Sequence, residues 1–348
     1  LEIGTPGGFQ EAITNPTGQL KKAVDLTPFS QDPEWDAMTD EFAGAIQPSH
    51  TSDDIIYGGL GSDWLHGGSG DDEIWLNQLR QRCPGLREDD TLAFDVRSNR
   101  VCSLDTVTVH YHGRPRVAPN APWDGGFVWT ADSLGNRWVA TANQGLGASV
   151  WWPTKDTQAD EPDSQRIAIT VPAPMVNVSN GRLRSVAASP DGGFTWEWFV
   201  RSPINNYNVT VNAGAYTHFG AAMQGEGGTL SLDYWPLAHH LEAARAQWAQ
   251  TPSVVRCFER WFGPFPWYED GLKLVETPHL GMEHQSAVAY GNGFMNGYRG
   301  TDLSGTGLGL EWDFIIVHEL AHEWWGNSLT SADLADMWVH ESFANYSE

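Results

Sequence analysis

The sequence predicts an α+β multidomain protein in which an antiparallel β-domain precedes a mixed α/β domain. Between about residues 104 and 234, apolar and polar residues alternate as in half-buried strands, and turn sequences separate the alternating runs. After Leu237 the apolar residues recur with a helical period. Upstream of both, residues 53–75 repeat glycine and aspartate every nine positions. These changes of pattern divide the chain into four predicted segments, 1–52, 53–75, 76–227 and 228–348.

The composition indicates packed globular domains and argues against several function classes. The 348 residues are 41% hydrophobic and include 18 Trp, which is enough apolar material for two or three cores. A net charge of −24 argues against nucleic acid as a partner. No apolar run reaches the length of a membrane span, and the N-terminus shows no signal-peptide pattern. The three cysteines form no CxxC pair, and segment 1–52 carries no recognisable chemistry.

The glycine-rich segment 53–75 resembles the calcium-binding nonapeptide repeat of RTX proteins. Its aspartates recur every nine residues, and an apolar residue follows two positions after each of them. Glycines permit tight turns, whose carbonyl oxygens join the carboxylates as the hard ligands that calcium prefers. The resemblance implies a short β-roll-like segment with the candidate calcium ligands Asp54, Asp63, Asp72, Gly58 and Gly67. A calcium-stabilised turn or a flexible linker is the alternative, because fewer than three full repeats are present.

The β-domain is predicted strand by strand from the alternation. The first strand is expected at residues 104–111. The later strands are expected at residues 126–129, 138–141, 166–171, 194–200, 207–211 and 229–234. His110 and His112 share one face of the first strand, but no acidic residue or cysteine lies near them in the sequence. We therefore expect exposed histidines at these positions rather than metal ligands.

Two helical runs and one short strand are predicted after Leu237. The helical runs end at Gly263-Pro264, a sequence that terminates helices. His239 and His240 open the first run, and we expect both side chains to be solvated. Residues 272–276 form an apolar run typical of a strand. The second half of the chain is therefore a mixed domain.

The pattern His318-Glu319-Leu320-Ala321-His322 indicates a zinc site. Histidines four residues apart share one face of a helix and can bind one metal ion. Glu341 follows His322 after eighteen residues, inside a predicted helix at 331–346, and can complete a His2Glu ligand set with an open position for water. Glu319 is then placed to deprotonate that water. An amphipathic helix with solvated or capped histidines is the alternative.

Together with the upstream sequence Gly281-Met282-Glu283-His284, the HExxH-x18-E pattern resembles the aminopeptidase N-like zinc metallopeptidases, a gluzincin family with a GxMEN motif. The resemblance covers about residues 105–348. It implies an antiparallel β-domain of the saddle type, here partial, followed by a thermolysin-like mixed α/β catalytic domain that is truncated at its C-terminus.

The same resemblance implies roles for individual side chains. Glu283 binds the free α-amino group of a peptide, and Gly281 and Met282 line the cleft beside the scissile bond. Gln144 lies in a segment that resembles a family loop and helps to bind the substrate N-terminus, or is an ordinary loop residue. His284 replaces the asparagine of the motif, and we expect this change to alter the orientation of Glu283.

The resemblance implies a zinc-dependent aminopeptidase that removes N-terminal residues from peptides, with Zn²⁺ and, through the repeats, Ca²⁺ as cofactors. We expect weak turnover, because the family's downstream tyrosine and helical C-terminal domain are not in this sequence. A thermolysin-like endopeptidase is disfavoured by the spacing of Glu341. The sequence is also compatible with a calcium-dependent secreted binding or adhesion protein and with an inactive zinc-binding fragment. The repeats favour an extracellular or periplasmic location.

Overall fold

The structure is a computed structural model, and it describes residues 3–5, 8–10, 55–58, 73–76 and 109–348 apart from 146, 155, 156 and 159. The chain forms two compact units, Leu1–Val109 and His110–Glu348. Within the described part, no helix is long and apolar enough to cross a membrane.

The described residues of the first unit form two pairs of short strands. β1 (Ile3–Thr5) and β2 (Gly8–Gln10) are antiparallel, whereas β3 (Ile55–Gly58) and β4 (Glu73–Leu76) are parallel. Ile56 lies opposite Ile74, so two positions that are eighteen residues apart in the repeat pattern pair directly. Gly58 is the last residue of β3. The candidate calcium ligands Asp54, Asp63, Asp72 and Gly67 lie outside the described residues.

The second unit is mostly β. In chain order its strands are β5 (Gly126–Ala131), β6 (Arg137–Ala142), β7 (Gln165–Pro172), β8 (Val176–Val178), β9 (Arg182–Ser189), β10 (Gly193–Val200), β11 (Asn212–Gly214), β12 (Phe219–Gly225), β13 (Gly228–Trp235), β14 (Leu272–Glu276), β15 (Gly281–Met282) and β16 (Val288–Tyr290). They form antiparallel sheets in the orders β5-β6-β11-β8 and β7-β10-β9, and a mixed sheet in the order β12-β13-β14-β16-β15. The two antiparallel sheets share a core around Val178 and Trp198.

Most of the predicted strands are present, but two predictions were wrong in part. Residues 207–211 are not a strand, because Asn206–Asn208 form a turn and pairing begins only at β11. In that turn the amide of Asn208 donates to Asn327 Oδ1 at 2.6 Å, so buried side-chain bonds replace a strand ladder. The first predicted strand lies outside the described residues up to 108, and residues 109–111 have no regular structure. Val109 and Tyr111 are exposed, and no strand of the described residues pairs with them.

The described part of the second unit includes four α-helices. They are α1 (Leu241–Gln247), α2 (Thr251–Phe262), α3 (Phe314–Ala321) and α4 (Trp338–Tyr346). The predicted helix at 331–346 begins later than expected, at Trp338. Asp333 caps a short 3-10 turn by accepting a hydrogen bond from Ala335 N, and His340 Nε2 accepts one from Ser331 N.

His239 is exposed and His240 is partly exposed, in line with the prediction that both are solvated, but each ring also has an acidic partner that the sequence did not indicate. Nδ1 of His240 lies 2.7 Å from Oε1 of Glu276, a mostly buried carboxylate on β14. Nδ1 of His239 lies 3.8 Å from Oδ2 of the buried Asp132. Both imidazoles therefore pair with buried acids that are distant in sequence.

Helix α3 is fixed at its start and along its buried side. The carboxylate of Asp313 accepts hydrogen bonds from Ile315 N and Ile316 N at 3.1 and 3.2 Å, which is an N-cap worth about 1 kcal/mol. Tyr290 OH on β16 donates to the same carboxylate at 2.6 Å. The apolar side chains of Ile316 and Leu320 are fully buried in the core that includes the mixed sheet. These contacts fix the position of α3 relative to the mixed sheet.

Candidate metal and substrate site

His318 on α3 and His322 at the C-cap of α3 have their ring orientation set by hydrogen-bond partners. Nδ1 of His318 donates to Oε1 of Glu348 at 2.8 Å, and Nδ1 of His322 donates to the carbonyl oxygen of Trp325 at 2.9 Å. Each ring therefore directs its other nitrogen, Nε2, into the site, and these two atoms lie 3.3 Å apart. In a neutral ring that nitrogen carries the lone pair that binds a metal.

Glu341, on α4, completes a triangle with these nitrogens. Its Oε2 lies 3.7 Å from Nε2 of His318 and 3.8 Å from Nε2 of His322. Tetrahedral zinc with bonds of about 2.0–2.2 Å separates its ligand atoms by about 3.4 Å. The donor set and its spacing therefore fit zinc without rearrangement of either helix.

The charges around the triangle favour a cation. Burial opposes protonation of His318, but the hydrogen bond to Glu348 and the nearby carboxylates raise its pKa to about 9. Burial, followed by the proximity of His318, lowers the pKa of His322 well below its ordinary value, so this ring is neutral. A bound metal ion would suit this arrangement, because it would supply positive charge among the carboxylates and accept one lone pair from each imidazole.

Glu319 lies beside the triangle, and Gly281 makes room for it. A Cβ atom at Gly281 would approach Glu319 Oε1 to 2.3 Å and Ile315 Cγ2 to 2.9 Å, so a larger residue would displace the Glu319 carboxylate. Burial, and then the carboxylates of Glu341 and Glu348, raise the pKa of Glu319 to about 7 against the opposing effect of His318. A carboxylate with a pKa near neutrality is suited to accept and return a proton.

Glu283 is buried and held by two donors. Tyr207 OH donates to Oε1 of Glu283 at 3.1 Å, and Gln144 Nε2 donates to the same oxygen at 2.8 Å. Gln144 Nε2 also lies 2.5 Å from Oε1 of Glu341, so one amide joins the amine-binding candidate to the metal-binding candidate. Burial, and then repulsion by Glu319 and Glu341, raise the pKa of Glu283 well above its ordinary value. A substrate ammonium would relieve that repulsion.

His284 does not orient Glu283 by hydrogen bonding. Its ring is completely buried, and neither ring nitrogen has a hydrogen-bond partner among the described residues. The orientation of Glu283 comes from Tyr207 and Gln144, and Asn327 Nδ2 donates to its backbone carbonyl at 2.8 Å.

A cavity of about 220 Å³ brings the predicted residues together. It is lined by every candidate zinc, catalytic and substrate residue, namely Gln144, Gly281, Met282, Glu283, His318, Glu319, His322 and Glu341.

The sequence interpretation missed Glu348 and Tyr207. Glu348 lies beyond the predicted helix and beyond the end of α4, so helical spacing did not point to it. Tyr207 has no local signal.

Comparisons with known proteins agree with this geometry. Residues 251–348 match the Peptidase family M1 domain, and residues 51–78 match the RTX calcium-binding nonapeptide repeat. The resemblance to the aminopeptidase N-like zinc metallopeptidases is thus confirmed. Aminopeptidase N of Streptomyces lividans is 26% identical over 211 residues, which are 55% of this chain and 24% of that protein. Aminopeptidase Ey of Gallus gallus is 24% identical over 200 residues, 54% of this chain and 20% of that protein.

The fold agrees with solved M1 structures. An M1 zinc metallopeptidase from Deinococcus radiodurans superposes with a TM-score of 0.53 at 21% identity, covering 68% of this chain and 49% of that one. The E323A mutant of a two-domain M1 zinc metallopeptidase, bound to L-tryptophan, gives a TM-score of 0.54, with 68% and 50% covered. The mostly β fold with few helices is therefore that of two-domain M1 metallopeptidases. The chain spans about a quarter of the length of these curated relatives.

Proposed function

We propose that this chain is a zinc-dependent aminopeptidase that removes N-terminal residues from peptides. One observation carries the proposal: the buried Glu283 lies beside the candidate metal ligands. The side-chain amide of Gln144 donates hydrogen bonds to both Glu283 and the candidate ligand Glu341. A carboxylate next to the metal binds a terminal ammonium and excludes the interior of a chain. The relatives named above are aminopeptidases, and the Deinococcus radiodurans E323A mutant was solved with a Tyr-ser-ala substrate.

His318, His322 and Glu341 would hold the zinc ion. Bound zinc supplies Lewis acidity that polarises a carbonyl and lowers the pKa of water. The protein's own groups do the rest: Glu283 holds the α-ammonium, Gln144 keeps the two flanking carboxylates in place, and Glu319 takes the proton from the attacking water. Glu319 then returns this proton to the departing amine.

The finer architecture is part of the proposal. Residues 76–227 would correspond to a linker and a partial saddle-type domain, and residues 228–348 to a thermolysin-like catalytic domain. Residues 1–52 remain a separate segment without a proposed role. The match at residues 51–78 supports a short RTX β-roll in segment 53–75, with calcium bound by Asp54, Asp63, Asp72, Gly58 and Gly67. Such repeats favour an extracellular or periplasmic location.

A matched pair of peptides tests the proposed exopeptidase activity. One peptide has a free N-terminus and the other is acetylated, and mass spectrometry follows the products. We expect stepwise loss of N-terminal residues from the free peptide alone. Internal cleavage of both peptides would instead support a thermolysin-like endopeptidase.

Metal titration distinguishes a calcium-dependent binding function from the proposed enzyme function. The RTX match is the observation that favours it. Calcium-induced folding without zinc uptake would indicate a binding or adhesion protein, whereas we expect one zinc ion per chain. The expected weak turnover is tested by the same activity assays.

A further inference from the structure

The walls of the catalytic cavity differ in chemical character. One side carries the titratable residues Glu283, His318, Glu319, His322 and Glu341. The rest of the lining is largely apolar or aromatic and includes Pro122, Trp123, Leu280, Met282, Tyr298 and Phe314. Away from the metal ligands, a substrate side chain therefore meets carboxylates or apolar surface, with no lysine or arginine among the described lining residues.

Trp123 is an exposed aromatic side chain at a fixed position on this cavity. It is 65% exposed and lines the cavity, so its indole is accessible to a bound ligand. Its turn is closed by the backbone bond from Asp124 N to Asn120 O at 2.9 Å and by an ion pair of 2.7 Å between Arg116 and Asp124. Ala121, in the same turn, packs against a buried cluster that contains Met282. The turn that carries Trp123 is thus held in place while the indole stays exposed.

A second aromatic surface lies next to the metal ligands. The rings of Tyr298 and Phe314 meet edge to face with centroids 5.5 Å apart, and Phe314 stacks on the ring of His318 at 5.7 Å. Phe314 and Tyr298 are only partly buried. Aromatic surface therefore reaches from the metal-binding histidine into the cavity.

We propose that this site selects peptides whose N-terminal residue has a large apolar or aromatic side chain, with Trp123 as a specificity-determining residue. The proposal rests on the aminopeptidase function. Such a side chain gains apolar contact with Trp123 and the Tyr298–Phe314 pair. An acidic N-terminal side chain would be repelled by the carboxylate of Glu319 and would find no lysine or arginine among the described lining residues, and is therefore disfavoured.

The expected ratio of kcat/KM between substrates follows from the contacts that each side chain makes in the pocket. Methylene-sized differences in an apolar pocket change kcat/KM by about 10- to 200-fold. We therefore expect a phenylalanyl substrate to exceed an alanyl one by at least about tenfold. We expect a glutamyl substrate to fall below the alanyl one, because repulsion adds to the lost contact.

The test measures kcat/KM of zinc-loaded protein on phenylalanyl, alanyl and glutamyl arylamides. In Trp123→Ala the ratio of phenylalanyl to alanyl turnover should fall about tenfold, and Trp123→Phe should keep most of it. The control is Trp261→Ala, because Trp261 on α2 is 73% exposed and does not line the cavity. An unchanged ratio in Trp123→Ala, or preference for the glutamyl substrate, would overturn the proposal and leave the aminopeptidase function standing.

Calorimetry provides a readout that does not need turnover. The Glu319→Gln protein is titrated with L-phenylalaninamide, L-alaninamide and L-glutamic acid α-amide. We expect the phenylalanine derivative to bind at least about tenfold more tightly than the alanine derivative, and Trp123→Ala in the same background to remove that difference. Equal affinities would overturn the proposal. Absence of turnover on every arylamide, with selective binding retained, would contradict the enzyme function and leave the selectivity intact.

Discussion

Oε1 of Glu348 accepts a hydrogen bond from Nδ1 of His318 at 2.8 Å. This bond fixes which nitrogen of the histidine faces the metal position, and it increases the basicity of that nitrogen. The ligand Glu341 lies on α4, and Glu348 lies two residues beyond the end of that helix. Helix α4 and the residues that follow it thus supply both a ligand and the group that orients another ligand.

Glu348→Ala should weaken zinc binding by about 10- to 100-fold, because His318 loses the partner that fixes its ring. Competition with a chromophoric chelator measures the affinity. Glu242→Ala is the control, since the Glu242 side chain is 89% exposed on α1. Equal zinc affinity in wild type and Glu348→Ala would show that the ring is held by other contacts.

Glu319→Gln should abolish hydrolysis while zinc stays bound. The amide keeps the volume of the side chain beside Gly281 but cannot take a proton, so we expect a loss of about 100-fold or more in kcat. Metal analysis of the purified variant checks that zinc is retained. Retention of wild-type kcat would refute the assignment of Glu319 as the general base.

Gln144→Leu should lower kcat/KM on substrates with a free amino group by about 10- to 100-fold, because two hydrogen bonds to carboxylates are lost. The loss should appear mainly in KM if Gln144 positions Glu283. Gln224→Leu serves as the control, since Gln224 is an exposed residue of β12. Unchanged KM would mean that Tyr207 alone is sufficient to hold Glu283.

The buried Lys273 should give the protein a measurable pH dependence of stability. Burial lowers its pKa to about 8, while its ammonium group donates to the carbonyl of Gly181. Between pH 8 and about 10.5 the unfolded chain holds this proton and the folded chain does not, so stability rises with pH. Below pH 8 both states are protonated and the contribution is constant.

Urea unfolding of wild type and Lys273→Met across pH 8 to 10 isolates this effect. The free energy of unfolding of wild type should rise relative to the variant, by at most about 3 kcal/mol. Parallel pH profiles would show that Lys273 titrates at its ordinary pKa in the folded protein.

The metal site was predictable because it depends on local spacing. Helix geometry alone places His318 and His322 on one face. Glu341 required the further assumption of a second helix, which the structure supplies as α4, although that helix begins at Trp338 rather than residue 331.

The contacts that hold the substrate side of the site were not predictable in the same way. Tyr207 contacts Glu283 from a turn that the alternation pattern had suggested was a strand. The acidic partners of His239 and His240 are 107 and 36 residues away in sequence. Tertiary packing decides such pairs, and neither periodicity nor composition encodes it locally.

Hydrolysis of an aminoacyl arylamide tests the zinc aminopeptidase most directly. The purified chain is assayed on a substrate with a free amino group and on its acetylated analogue, with and without a zinc chelator, and again after zinc is restored. The account predicts turnover of the free-amine substrate alone, lost with the chelator and recovered with zinc. Chelator-resistant turnover, or absence of turnover from folded protein with zinc bound, would contradict it.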